Sequence, residues 1–417
     1  SPPEGAVRAA TEISTALIIG LCLGTSSAYA QEVTPEPDIQ SRLRAAVEES
    51  EDPGWALEEM RLFTAFYWQE GHGLQSQAGP VDGRGREDAW IVNPMASFRV
   101  RQNEEVSHTL TVPVDIVSAA STDAIDIVSK ASELNEAATM QLDTTYSPSD
   151  TADMHFKFGV HYEEPMRSFI VGPGFTLKFF DENTIIGVSA TIVADGFDPH
   201  SYTGHDNGFA ARTSFGVNID YLQVLSPTTL FDASAGTTEQ WGVLQTTWNS
   251  VIAFREPTED DPRVTYRSGE IFPKSRNRNA FFARLSQHVP DSRTTAKVSY
   301  RFYVDENAVF AHSLEAQLYQ YLGPWVFVRG HGRWHTQTAP DFWVVNVFQP
   351  EERDKRSSDS DLEELISREA GLRLVFDRSQ APGVIRAPDR FDAGYLRYQR
   401  DNGLSIDFFS LGYARTF

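Results

Sequence analysis

The 417-residue sequence contains one cysteine, Cys22, and it lies within the only sustained apolar run of the chain. A mature protein starting beyond that run has no disulfide and must hold together by packing and hydrogen bonds. Past this run, no stretch approaches the roughly 18 consecutive apolar residues of a membrane-spanning helix. Positive charge is also scarce: 36 Lys and Arg against 58 Asp and Glu leave a formal net charge of -22. Such a surface repels polyphosphates, so nucleic acid is not an expected partner. Catalytic signatures are missing too. No G-x-S-x-G, HExxH or Walker sequence occurs, and neither enzyme activity nor a cofactor is expected.

What is present begins with "ISTALIIGLCLG", Ile13 to Gly24, followed by "TSSAYA" with Ala28 and Ala30 at a small-x-small spacing. This order predicts an export signal over residues 1–30, cleaved after Ala30. A short membrane anchor is the weaker alternative, because the run is too short to span. Leu21 before Cys22 is not small, which argues against lipidation. Residues 31–58 are polar and Pro-containing, and Ile39, Leu43 and Val47 sit four apart, the spacing of one face of a short amphipathic helix.

From there the period changes to two, and residues 59–417 form a single unit. Aromatics make up 12% of the chain, a composition that strands favour. Alternating segments are expected at 60–70, 88–102, 105–118, 137–147, 152–163, 167–181, 184–195, 209–224, 228–241, 278–289, 293–304, 311–322, 324–337, 363–377, 390–401 and 403–417. Their joins alternate in length. "QNEE", "SPSD", "DEN", "SPT", "PDS", "GP" and the longer "RSQAPGVIRAPD" take every second place, and the remaining places are mostly longer: 71–87, 119–136, 196–208, 242–277 and 338–362. Sixteen strands with short turns at one end and long loops at the other predict a transmembrane up-and-down antiparallel β-barrel in an outer membrane. A soluble sandwich has no reason to alternate its loop lengths.

In such a barrel the apolar row of each strand faces lipid and the polar row faces the lumen, which sixteen strands make too wide for side chains to fill. In "AKVSYRFYV", Val298, Tyr300 and Phe302 alternate with Lys297, Ser299 and Arg301. In "VFVRGHGRWH", Arg329, His331, Arg333 and His335 take every second position. Together with Arg278, Arg284, His288, Arg373 and Arg397 these form a basic inner wall, interrupted by Glu315 and Glu369. One consequence is a water-filled path that attracts small anionic solutes. The other is an internal salt-bridge lattice, with Glu315 and Glu369 closing onto the arginines and the interior solid or loop-filled. His331 and His335 share a face, but Arg333 between them opposes a metal, so no metal site is expected.

Two of the long links carry further signals. "VLQTTWNSVIAF", Val243 to Phe254, is too apolar for an uncovered loop and is expected to narrow or cap the mouth. The acidic residues of "EERDKRSSDSDLEE" read as a solvated charge run. Its carboxylates offer oxygens suited to Ca²⁺, but no EF-hand register is present. At the C-terminus, Ser410, Gly412 and the final Phe417 match a polar-x-Gly-x-x-aromatic-x-aromatic ending, with Arg415 in place of one aromatic.

The phrases "VDIVSAASTDAIDIVSKAS" (Val114 to Ser132), "DYLQVLSPTTLFDASAG" (Asp220 to Gly236), the run Pro273 to Arg278, "YRFYVDENAVFAHSLEAQLYQYLG" and the ending "FFSLGYARTF" resemble the outer-membrane barrels grouped as domain of unknown function 3570. The likeness runs from about residue 60 to 417, and the chain departs from the family pattern at "GRWHTQ". The resemblance implies the fold and an outer-membrane location, with outer-membrane lipid, lipopolysaccharide and the barrel-assembly machinery as partners. That ending is similar to the signal read by the assembly machinery, which would be carried by Ser410, Gly412 and Phe417. The family has no established reaction, so solute transport and a plugged structural scaffold remain the two alternatives, with a hydrolase a distant third.

Overall fold

A computed structural model describes residues 54–71, 88–119, 135–163, 166–198, 205, 207–244, 250–257, 265–348, 353–359, 361–378 and 389–417. The expected export signal and amphipathic helix lie outside these residues.

The strands are β1 (Ala56–Glu70), β2 (Ala89–Arg101), β3 (Val106–Ala119), β4 (Asn135–Ser149), β5 (Ala152–Glu163), β6 (Met166–Phe179), β7 (Thr184–Phe197), β8 (Ala210–Ser226), β9 (Thr229–Gly242), β10 (Ser250–Phe254), β11 (Thr265–Gly269), β12 (Ser275–Val289), β13 (Thr294–Asp305), β14 (Phe310–Tyr321), β15 (Val326–Gln337), β16 (Asn346–Phe348), β17 (Leu365–Asp377), β18 (Asp389–Arg400) and β19 (Ser405–Thr416). Sixteen of them close into one antiparallel barrel, each paired with its sequence neighbour, and β1 seals against β19. Closure leaves no open edge, which is the condition for strands to cross a membrane. At the seam the Phe417 amide donates to the Glu58 carbonyl at 2.9 Å.

Alternation decides which face meets lipid. Val298, Leu314, Leu372 and Leu411 point outward and are 52%, 50%, 64% and 59% exposed, while the residues between them are largely half-buried. An apolar row this exposed cannot be the core of a soluble barrel. It is the lipid-facing belt of a transmembrane one.

One rim, here the turn rim, carries both ends of the barrel chain and most of the short joins. Its β6–β7 turn is tight enough that Phe180, Asp181 and Glu182 all take positive φ, and the Asn183 side chain donates to the Phe180 carbonyl at 2.6 Å. The opposite rim, the loop rim, carries the long links. The three remaining strands come from two of these, forming a small sheet in the order β11-β10-β16 with β10 and β16 parallel. Val251 and Ala253 of β10 are fully buried against Val347, Tyr266 and Val344. The apolar segment expected to cover the mouth thus supplies β10.

Candidate functional site

The barrel registers line up one charged row across the lumen face of six neighbouring strands. Asp232 on β9 stands opposite Arg284 on β12, followed across β13, β14, β15 and β17 by Ser299, Glu315, Arg333 and Glu369. Neighbours on one face of adjacent strands lie about 5 Å apart, close enough for direct ion pairs. Arg284 Nη2 reaches Asp232 Oδ1 at 2.9 Å, and Arg333 Nη2 reaches Glu369 Oε2 at 2.8 Å. His331, one step toward the turn rim, sits between the two carboxylates, 3.4 Å from Glu315 and 3.3 Å from Glu369. The Gln317 amide donates to Glu315, and Tyr319 donates to Gln317 at 2.7 Å.

Nearer the turn rim, Arg329 on β15 is directly opposite Arg373 on β17. Two like charges in this relation repel. Arg373 leans away to Asp392 at 3.4 Å and donates to Ser410 at 3.4 Å. Glycine makes the room for this: a Cβ on Gly412 would come within 2.4 Å of the Asp392 carboxylate. Ser410 and Gly412 therefore face the lumen beside Arg373, while Phe417 is exposed on the lipid side with Arg415 stacked 5.3 Å from its ring. Lys297 Nζ lies 4.8 Å from the Tyr319 ring, Arg301 lies 5.8 Å from the Phe282 ring, and His335 is hydrogen-bonded to Ser313 at 2.7 Å.

The expected wall residues Arg284, Lys297, Arg301, Arg329, His331, Arg333, His335 and Arg373, with Glu315 and Glu369, thus share the lumen face. Arg397 does not. It faces outward, paired with Asp407 at 3.2 Å. The lattice also differs in detail from the expectation: Glu315 is held by His331 rather than by an arginine, and further carboxylates join it, among them Asp232, Asp392 and, toward the loop rim, Asp305, which pairs with Arg276 at 2.6 Å. Even so, Arg284, Lys297, Arg301, Arg329, Arg333 and Arg373 outnumber the carboxylates Asp232, Glu315, Glu369 and Asp392. The opposite arc leans the other way, with Asp115 bound by Asn93, Asp143 4.0 Å from Lys157, and Asp220 accepting from Asn218 at 2.7 Å.

The loop sheet is anchored over the rim of this basic arc. Gln337, at the lumenal top of β15, donates to the carbonyls of Asp361 and Glu363 at 2.9 and 3.0 Å, and Arg400, at the top of β18, pairs with Asp361. Arg356 crosses back to the Gly269 carbonyl at 2.9 Å, and Glu270 accepts from Ser357 at 2.7 Å. The acidic run expected to be solvated is so only in part: Asp354 and Glu364 are exposed, whereas Asp359 and Glu363 are buried. Burial there is tolerated because the surrounding arginine, serine and amide donors satisfy the carboxylates. Among the described residues no group of three or more His, Cys, Asp or Glu converges as metal ligands.

Among solved structures, the chain is similar to Pseudomonas aeruginosa OccK1 (OpdK), at 7% identity and a TM-score of 0.41, covering 85% of this chain and 97% of that one. A BenF-like porin from Pseudomonas fluorescens Pf-5 matches at 7% and 0.42, covering 87% and 99%. The outer membrane protein OprD from Pseudomonas aeruginosa matches at 11% and 0.39, covering 87% and 95%. No curated protein matches the sequence. The model of the protein family of unknown function DUF3570 matches residues 138–376, more than half of the chain, and the protein belongs to that family.

Proposed function

We propose that the protein is an outer-membrane channel, exported through a cleaved signal at residues 1–30, that passively conducts small solutes and favours anions. The carrying observation is the lumenal row of β15. Arg329, His331, Arg333 and His335 are all half-buried and none is sealed off, so the two guanidiniums among them line a space that water still reaches. Rings of Arg and Lys in such a space raise the local concentration of anions. Insertion would pass through the barrel-assembly machinery, with the terminal Phe417 on the lipid face as part of the recognised end.

One observation favours a second reading, a closed barrel serving as a surface scaffold: the β10–β11–β16 sheet is held over the rim of the basic arc. Planar-bilayer recording separates the two. The channel reading expects discrete conductance steps, an anion-selective reversal potential under a salt gradient, and a shift of that potential toward the cation side in Arg329→Gln. Absence of conductance from folded, heat-modifiable protein would overturn it in favour of the scaffold.

A further inference from the structure

Arg397 and Arg368 stand on the lipid-facing surface, each three residues inside the loop rim on β18 and β17. Charge on that surface is costly in proportion to its depth, so an arginine placed there calls for a partner. Arg397 has one in Asp407, but Arg368 is exposed with no ion pair or hydrogen bond among the described residues. Gln399, also exposed, is directly opposite Arg368, and Arg397 is diagonal to it, within reach of a long side chain. The register thus puts two guanidiniums and an amide on one patch, with the Arg397 guanidinium engaged by Asp407 through Nη1 alone, and such donors suit phosphate oxygens.

The surface beside the patch is recessed. Gly332 and Ala370, opposite each other across β15 and β17, leave a shallow floor between the projecting side chains of Trp334 and Leu372, and a Cβ on Gly332 would meet only a carbonyl at 3.9 Å. Apolar walls below a cationic edge suit a lipid whose acyl chain lies along the barrel and whose headgroup rises to the rim.

We propose that Arg368, Gln399 and Arg397 bind the phosphorylated headgroup of an outer-leaflet glycolipid, the lipid A portion of lipopolysaccharide, with its acyl chain over Gly332 and Ala370. The choice of a glycolipid rests on the outer-membrane reading, which puts the loop rim in the outer leaflet. Lipid-stripped barrel in detergent is titrated with lipopolysaccharide, dephosphorylated lipopolysaccharide and phosphatidylglycerol, and retained lipid is read by native mass spectrometry. Lipopolysaccharide is expected to bind, with retention about tenfold lower in R368Q/R397Q, where two charge-assisted contacts are lost, and partly lower in R368Q. The single variant breaks no ion pair, so its folding, checked by heat modifiability, keeps the comparison valid. Equal retention by wild type and both variants overturns the site. Equal binding of the dephosphorylated form overturns phosphate recognition, and equal binding of phosphatidylglycerol overturns the glycolipid assignment. Conductance recorded on the same samples keeps the readings apart: a non-conducting barrel that discriminates these lipids removes the channel and spares the site.

Discussion

Arg333 and Glu369 face each other across β15 and β17 at 2.8 Å, on a wall where Glu369 is almost fully enclosed and Arg333 keeps some contact with water. Removing the cation alone leaves an enclosed carboxylate whose remaining neighbour is His331. Arg333→Gln is therefore expected to destabilise the barrel by about 3 kcal/mol, and Arg333→Gln/Glu369→Gln to recover most of that loss. Urea unfolding of the folded band checks both. Additive losses in the double variant would show that the pair is not coupled.

Gly412 supplies a steric counterpart. A methyl group there meets the Asp392 carboxylate at 2.4 Å, whereas at Gly330 it meets only ordinary contacts at 3.9 Å and beyond. Gly412→Ala is expected to displace Asp392 from Arg373 and lower stability by about 1–3 kcal/mol, the range of an overpacked site. Gly330→Ala should unfold with the wild type. Matching midpoints for the two variants would refute the crowding argument.

Phe417 donates its amide to Glu58 across the seam that closes the barrel, and its ring projects to the lipid side. Deleting it should lower the amount of heat-modifiable, folded protein in the membrane while export continues. Normal folded amounts after deletion would separate the terminal residue from assembly.

These placements show which parts of the molecule the sequence reveals. The period-two alternation located all sixteen barrel strands because lipid on one side and water on the other impose opposite chemistry on neighbouring residues. The same signal fails within a few residues of a rim, where the apolar belt ends and polarity no longer reports the face. Arg397 lies in that zone, and its outward direction emerges only from pairing with β17 and β19. Asp232 escaped notice for a different reason. It meets Arg284 across a register whose two strands are separated by the long link carrying β10 and β11, and no local pattern fixes that alignment. The small sheet was legible only as an apolar segment needing cover, because its parallel β10–β16 pairing joins residues from two distant loops.

That sheet leads to the last prediction. Its tie to the 353–359 segment runs through Arg356, whose guanidinium reaches the carbonyls of Gly269 and Arg353 and the Ser268 hydroxyl at 2.9, 3.1 and 3.1 Å. None of these acceptors belongs to a barrel strand, so losing them should loosen the cover without opening the barrel. Arg356→Ala leaves the backbone bridge between Ile271 and Arg356 in place, and Glu270→Gln weakens the neighbouring hold on Ser357. If the sheet narrows a conducting mouth, both variants should raise single-channel conductance and increase its fluctuation, with the unfolding midpoint of the barrel unchanged. If the sheet closes the barrel completely, a silent wild type should become conducting in the variants. Unaltered conductance in both, with the cover shown to be loosened by faster hydrogen exchange over β10 and β11, would place the sheet beside the permeation path and leave the current to be set within the barrel lumen.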